Sequence, residues 1–302
     1  MNIYTEGNLH HKNAHGITLL EKEGINFPKD TSPDIAPDIV CMFDKVIDIR
    51  VIRNLENYEG PVIFGPHTFL FDRSGIHLSA NPDSYVHRRL YSGLDVFDED
   101  PYYFNALSPW NKKLQVNICG LPDVNVITLP FPVDIDRFQP KDKKGKPVIY
   151  FKHREPSVVI DVLDHLGEDF IIFNCGARYR EETFLQAIST APYCIWIGCH
   201  ESQGFAFQET LSSNTPIFVI NVKSLRDEVG SFWADENCVP GHDLAATSAA
   251  YFDEPCGLIS YPEKWKDDFD LFLQQLNHYA PRDFVVTHLS PKVCKTLWEK
   301  YA

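Results

Sequence analysis

The chain is short of several things that would each have named a class. No segment of its 302 residues approaches the roughly 20 consecutive apolar residues that cross a bilayer, so no transmembrane helix is expected. The N-terminus, Met1 to Gly7, lacks a basic stretch followed by a long apolar core, so no signal peptide is visible. Eight cysteines are scattered without a Cys-x-x-Cys pair, which points to neither a zinc site nor a disulfide framework. Reduced thiols in a cytoplasmic compartment are the expectation. Positive charge is scarce: 28 Lys and Arg face 42 Asp and Glu, for a net charge of −14. That argues against a general nucleic-acid or anionic-membrane surface, while leaving room for a small basic pocket. There is no internal repeat at solenoid spacing and no low-complexity segment.

What remains has the composition of a soluble globular protein, with 44% hydrophobic and 23% charged residues. The length suits two domains of ordinary size. The best linker is Gln139 to Pro147, polar, charged and bounded by prolines. Before it, apolar runs at Asn2–Tyr4, Asp38–Phe43, Pro61–His67, Tyr102–Leu107 and Val126–Leu129 read as strands, with helices around Ile17–Lys22 and Asp83–Ser92. After it, Val148–Lys152, Phe170–Asn174, Tyr193–Gly198 and Ile217–Ile220 read as strands. Helices around Ser157–Leu166 and Glu181–Ser189, and one opening at Gly204, separate them. Strands alternating with helices predict parallel sheets, whose ligands sit beyond the carboxyl ends of the strands. Ser290-Pro291 starts a last helix to about Tyr301, Ser as N-cap and Pro in the first turn.

The densest signal is Glu201-Ser-Gln-Gly-Phe-Ala-Phe-Gln-Glu209, between two apolar strands. A helix N-terminus beside a strand end offers free N–H groups and the positive end of a dipole, which suits phosphate. The flanking carboxylates repel phosphate but accept hydrogen bonds from sugar hydroxyls. Phosphate donors beside such carboxylates suggest a nucleotide-sugar site. Lys152-His-Arg154 ends the first strand after the linker, where a guanidinium and an ammonium suit a pyrophosphate.

The Glu pair with seven residues between its members, Gly204 third after the first Glu and Thr-Pro closing the helix, resembles the donor motif of retaining GT-B glycosyltransferases, family 4 above all. Ala106 to Lys113 and Leu129 to Pro140 resemble that family's interdomain region, with Pro130, Val133, Asp134, Phe138 and Pro140 on its signature. The likeness covers about residues 106–222 and is weak before them. It implies an α/β, GT-B-like fold: two Rossmann-type doubly wound domains facing across a cleft, with a C-terminal helix crossing back to the first. The expected division is a reduced acceptor-side domain at 1–140, a nucleotide-sugar domain at 147–280 and the crossover helix at 281–302.

The resemblance also implies roles. The family's Arg matches Arg154, but its usual Lys falls at Val159, so Lys152 is the candidate substitute. Catalytic candidates are Glu201, His67, Arg154 and Lys152. Donor-binding candidates are Gly7, Gly176, Arg178, Tyr179, Gly204, Phe205, Ala206 and Glu209. Glu201 would orient the donor sugar and Glu209 the ribose; Arg178 or Tyr179 would border the base. The implied activity is transfer of a sugar from a UDP- or GDP-sugar to a hydroxyl acceptor, such as a glycan, with retention and without a metal or cofactor. His11 and His15 have helical spacing but no convincing carboxylate partner for a metal. Two alternatives stay open: a non-catalytic GT-B-like nucleotide- or glycan-binding module, and a GT-B sugar-nucleotide epimerase.

Overall fold

In a computed structural model of the chain, the described residues are 1–7, 9–28, 37–43, 58, 60–66, 102–119, 122–167, 169–177, 179–229 and 244–302. The helix expected at 83–92, His67 and Arg178 lie outside them. The chain forms two compact units. One contains Met1–Pro132 and Pro291–Ala302; the other contains the described residues from Val133 to Ser290.

The first unit carries a parallel sheet in the order β1 (Ile3–Gly7), β2 (Ile39–Phe43), β3 (Val62–Phe64), β4 (Tyr102–Asn105), β5 (Val126–Ile127). Helix α1 (His11–Lys22) starts six residues before the expected Ile17. Gly16 weakens a helix pattern locally, yet here it permits packing: a Cβ on it would fall 2.7 Å from Phe131 Cβ. A helix not anticipated from the sequence, α2 (Pro109–Cys119), fills the span between β4 and β5. The last helix, α8 (Pro291–Trp298), belongs to this unit. Its Trp298 is fully buried, with ring contacts to Phe27 and Phe131, and Lys295 donates to Glu23 O at 2.8 Å.

The second unit has five parallel strands in the order β10 (Gly257–Ser260), β9 (Ile217–Ile220), β8 (Cys194–Ile197), β6 (Val148–Phe151), β7 (Ile171–Asn174). Both faces are covered, which is why β8 and β9 read as unbroken apolar runs. The two-residue alternation divides them: Val148, Tyr150, Cys194, Trp196, Ile217 and Val219 enter one core, while Ile149, Ile195, Ile197, Phe218 and Ile220 enter the other. The first core packs under α4 (Glu181–Thr190), α5 (Phe205–Ser212) and α7 (Pro281–Leu289). The second packs under α3 (Pro156–Leu166) and α6 (Trp265–Gln274). The segment expected as one crossover, 281–302, divides at Ser290: Val285 and Leu289 of α7 are buried in this unit. Val133 and Phe138 of the signature segment are buried here too, while Asp134 accepts Arg137 N–H at 3.0 Å. No helix among the described residues is long and apolar enough to cross a membrane.

Candidate functional site

Strand β6 pairs with β7 on one side and β8 on the other, so chain connections leave in opposite directions at the β6–β8 boundary. Beyond the carboxyl ends there, a parallel sheet opens a crevice. Two loops meet at it: Lys152–Arg154 after β6, and Gly198–Gly204 after β8.

The first loop sends its two cations to different places. His153 takes φ +47°, a left-handed backbone between Lys152 and Arg154. Lys152 Nζ lies 2.9 Å from Glu201 Oε1, and both side chains are mostly buried. Burial alone would disfavour the ammonium, but the adjacent carboxylate more than offsets it, and the Lys152 pKa rises. Arg154 behaves differently. It is 6% exposed, and its Nη1 donates to Gly198 O at 3.0 Å and Ile220 O at 3.1 Å. It thus ties the ends of β6, β8 and β9 together. One guanidinium nitrogen of Arg154, the residue expected at the diphosphate, is thus committed to two buried carbonyls, which burial requires to be satisfied.

The second loop is held from several sides. Glu201 N–H donates to Thr247 O at 3.1 Å. Thr247 and Ser248 are in turn fixed by Asn221, whose Oδ1 accepts from Thr247 Oγ1, Ser248 N and Ser248 Oγ at 2.8–3.1 Å. His200 donates its backbone N–H to Glu228 at 3.0 Å, and its ring Nδ1 bonds the same carboxylate oxygen. Cys199, His200 and Glu228 are the described group whose ligand-type atoms lie within 4.8 Å of one another. In the structure they are joined by hydrogen bonds; burial pushes the Cys199 thiol pKa up, and the thiol donates to His200 O at 3.3 Å.

Gly204 ends the loop at φ +80°, where any side chain is strained, and serves as N-cap of α5. Having no side chain, it leaves the first-turn amides of Phe205 and Ala206 without a side-chain cap. Glu209, one turn along, is 4% exposed. Past the helix, Asn214 adopts φ +54° and closes the last turn through its N–H to Leu211 O at 2.9 Å.

Tyr179 follows β7. Its ring packs against Tyr150, Phe173 and Phe184. Its hydroxyl pairs with that of Tyr150 and lies in the fields of both Glu209 and Glu201; burial first, then Cys175 and these carboxylates, push its pKa up to about 12. The fold therefore gathers Lys152, Tyr150, Tyr179, Glu201, Glu209 and the α5 N-terminus. Tyr150 was missed from sequence because it reads as one more apolar strand residue. Gly176 is exposed in the turn after β7, its N–H bonded to Asn174 Oδ1 at 2.9 Å. Gly7 ends β1 in the other unit, at φ +104°; a Cβ there would fall 1.7 Å from Phe43 O, so the backbone admits nothing larger.

No protein-family model matches the chain, and no curated protein matches it. Solved structures do. A glycosyltransferase from Rickettsia africae ESF-5 superposes with TM-score 0.56 at 9% identity, over 99% of this chain and 97% of that one. A lipopolysaccharide outer core galactosyltransferase, WaaB, in its apo form, gives 0.53 at 11% identity, over 100% and 99%. Sucrose-phosphate synthase from Thermosynechococcus elongatus gives 0.53 at 10% identity, over 99% and 98%. At such identities the likeness establishes the fold: α/β, with two parallel five-stranded sheets, matching GT-B glycosyltransferase structures.

Proposed function

We propose that the protein is a retaining glycosyltransferase that moves a sugar from a UDP- or GDP-sugar to a hydroxyl acceptor, a glycan being the acceptor of choice. The observation that carries this reading is the Lys152–Glu201 pair at the topological switch point, beside the uncapped N-terminus of α5 and the buried Glu209. A nucleotide diphosphate needs cationic and N–H donors for phosphate, and carboxylates for ribose and sugar hydroxyls. All are present within one crevice of one unit. The GT-B fold of the structural neighbours is consistent with the same chemistry.

In this mechanism Lys152 and the amides of Phe205 and Ala206 stabilise charge on the departing diphosphate. Glu201 is released from Lys152 toward a hydroxyl of the donor sugar, and Glu209 accepts from the ribose. The acceptor proton passes to a phosphate oxygen of the leaving group on the same face, so no carboxylate nucleophile is required. Arg154 acts from behind, fixing Gly198 at the root of the loop that carries Glu201. Phosphate charge is met by protein groups, and no metal or cofactor is part of the proposal. The roles that the resemblance implies for His67, Gly7, Gly176 and Arg178 belong to the same proposal.

The test is paired. Glu201→Ala should lower transfer by about 100-fold, or ~2.7 kcal/mol of barrier, while UDP or GDP still binds. A mutant that transfers at the parental rate removes Glu201 from the mechanism. A parent protein that binds nucleotide, yet neither transfers nor hydrolyses any of a panel of nucleotide-sugars, replaces the enzyme with a binding module. Isomerisation of a donor without acceptor would make it an epimerase.

A further inference from the structure

A cavity of about 620 Å³ lies in the second unit, away from α5, at the carboxyl ends of β9 and β10 and the N-terminus of α3. Of its lining the proposed transferase mechanism uses only Arg154, through the bond to Gly198 O. Its polar floor comes from two residues more than nine-tenths buried, Arg154 and Asn221. Arg154 spends Nη1 on Gly198 O and Ile220 O, while its Nη2 and Nε bond no described residue. Asn221 spends Oδ1 on Val222 N–H and the Thr247–Ser248 turn, while its Nδ2 donates to no described residue. Two largely buried residues of the second unit thus turn accessible N–H groups, without an acceptor among the described residues, toward an open space, where a ligand oxygen can accept from them.

The surrounding charge says which kind of oxygen. Arg154, Lys223 and Arg226 line the cavity together with Glu155, Asp227, Glu228 and Glu263, a net charge of −1. Most of the carboxylates are occupied. Asp227 accepts from Lys223 N and Ser224 N at 2.7 and 3.0 Å, Glu228 is bonded by His200, and Glu263 is paired with Lys223. Burial pushes the Arg154 pKa down, and the nearby Asp227 and Glu228 carboxylates act in the opposite sense. A phosphate dianion would enter a ring of acids with no surplus of cations. A neutral hydroxyl is different: it accepts from Arg154 or Asn221 and donates to a carboxylate at the same time. Val158, Val229 and Pro262 supply apolar wall for C–H groups, and the volume lies within the range of small-molecule sites. We infer that this cavity binds a neutral sugar unit, at a site distinct from the one formed by Glu201 and Glu209. The inference stands independently of the transferase reading.

The test is saturation-transfer NMR on the full chain with D-glucose, D-galactose, D-mannose and N-acetyl-D-glucosamine as probes, in the presence of excess UDP. Signal is expected from at least one sugar. It should vanish in Val158→Trp, which places an indole inside the cavity, and persist in Glu209→Ala. Val229→Trp serves as a second filling variant, and circular dichroism checks that each remains folded. Absence of signal from every sugar overturns the inference, as does undiminished signal in both filling variants. Loss in Glu209→Ala alone would place the sugar at the other site and likewise overturn it. So would phosphorus-31 line broadening of inorganic phosphate that the filling variants relieve, since that marks an anion site. Transfer activity is assayed separately, so failure here leaves the transferase reading untouched.

Discussion

Replacing Arg154 by Met tests whether one buried guanidinium holds the carboxyl edge of the second sheet together. Met keeps the apolar stem volume but deletes both hydrogen bonds, to Gly198 O at 3.0 Å and Ile220 O at 3.1 Å. A hydrogen bond from a charged donor contributes about 1.5–3 kcal/mol, and the two share one nitrogen and do not simply add. With Arg154 only 6% exposed, water cannot easily replace it at the carbonyls. The expected loss is about 3–4 kcal/mol. In urea, at a slope of about 2 kcal/mol/M, the unfolding midpoint should fall by roughly 1.5–2 M. Arg154→Lys should recover less than half of this, since an ammonium lacks the planar fork. The companion measurement is UDP or GDP affinity under conditions where the mutant is folded. A stability loss below about 1 kcal/mol would refute the clamp. A mutant of parental stability that no longer binds nucleotide would return Arg154 to the phosphate.

Four further outcomes are expected. Gly204→Ala forces an alanine to φ +80° with its Cβ 3.2 Å from Glu201 Cβ, and should cost about 1–2 kcal/mol, lowering Tm by ~3–6 °C in a thermal scan. Lys143 Nζ donates to Ser213 O at 2.8 Å, Thr215 Oγ1 at 2.6 Å, and Ile188 and Ser189 carbonyls at 3.3 and 3.2 Å; Lys143→Met should therefore destabilise by about 2–3 kcal/mol in urea, and a neutral result would show that these bonds contribute nothing net. Glu209→Ala should weaken UDP or GDP binding by about tenfold or more without unfolding the chain, and unchanged calorimetric affinity for both nucleotides would end the ribose assignment. Transfer should survive excess EDTA; complete loss, restored by Mn²⁺ or Mg²⁺, would contradict the proposed metal-free neutralisation of the diphosphate.

Much of the second sheet was legible because its strands are buried on both faces. Runs such as Cys194-Ile-Trp-Ile197 and Ile217-Phe-Val-Ile220 leave little alternative, and Pro156 and Gly167 mark both ends of α3. Elsewhere the local signals were mixed. The first turns of α1 contain Asn13 and Gly16, poor helix formers that are buried in the folded unit. Strand β10 is four residues long with Gly257 at φ +138°, and it is a strand because Ile217 and its neighbours supply the ladder. Helix α6 follows it and was not anticipated either, and α7 was expected only as part of one crossover helix at 281–302. Their identity depends on the sheet face and the helix they cover, α6 on the second core and α7 against α5.

The candidate site divides along the same line. Local order alone determined the Glu201–Glu209 spacing, the glycine that must cap α5, and the presence of cations after β6. Which cation faces the acidic pair was decided by the tertiary structure. Lys152 reaches Glu201 across 49 residues of chain, and Arg154 reaches carbonyls 44 and 66 residues away. The physical reason is that a parallel sheet makes neighbours of strand ends remote in sequence. Desolvation there then requires every buried charge and carbonyl to find a partner, and only the assembled edge offers those partners.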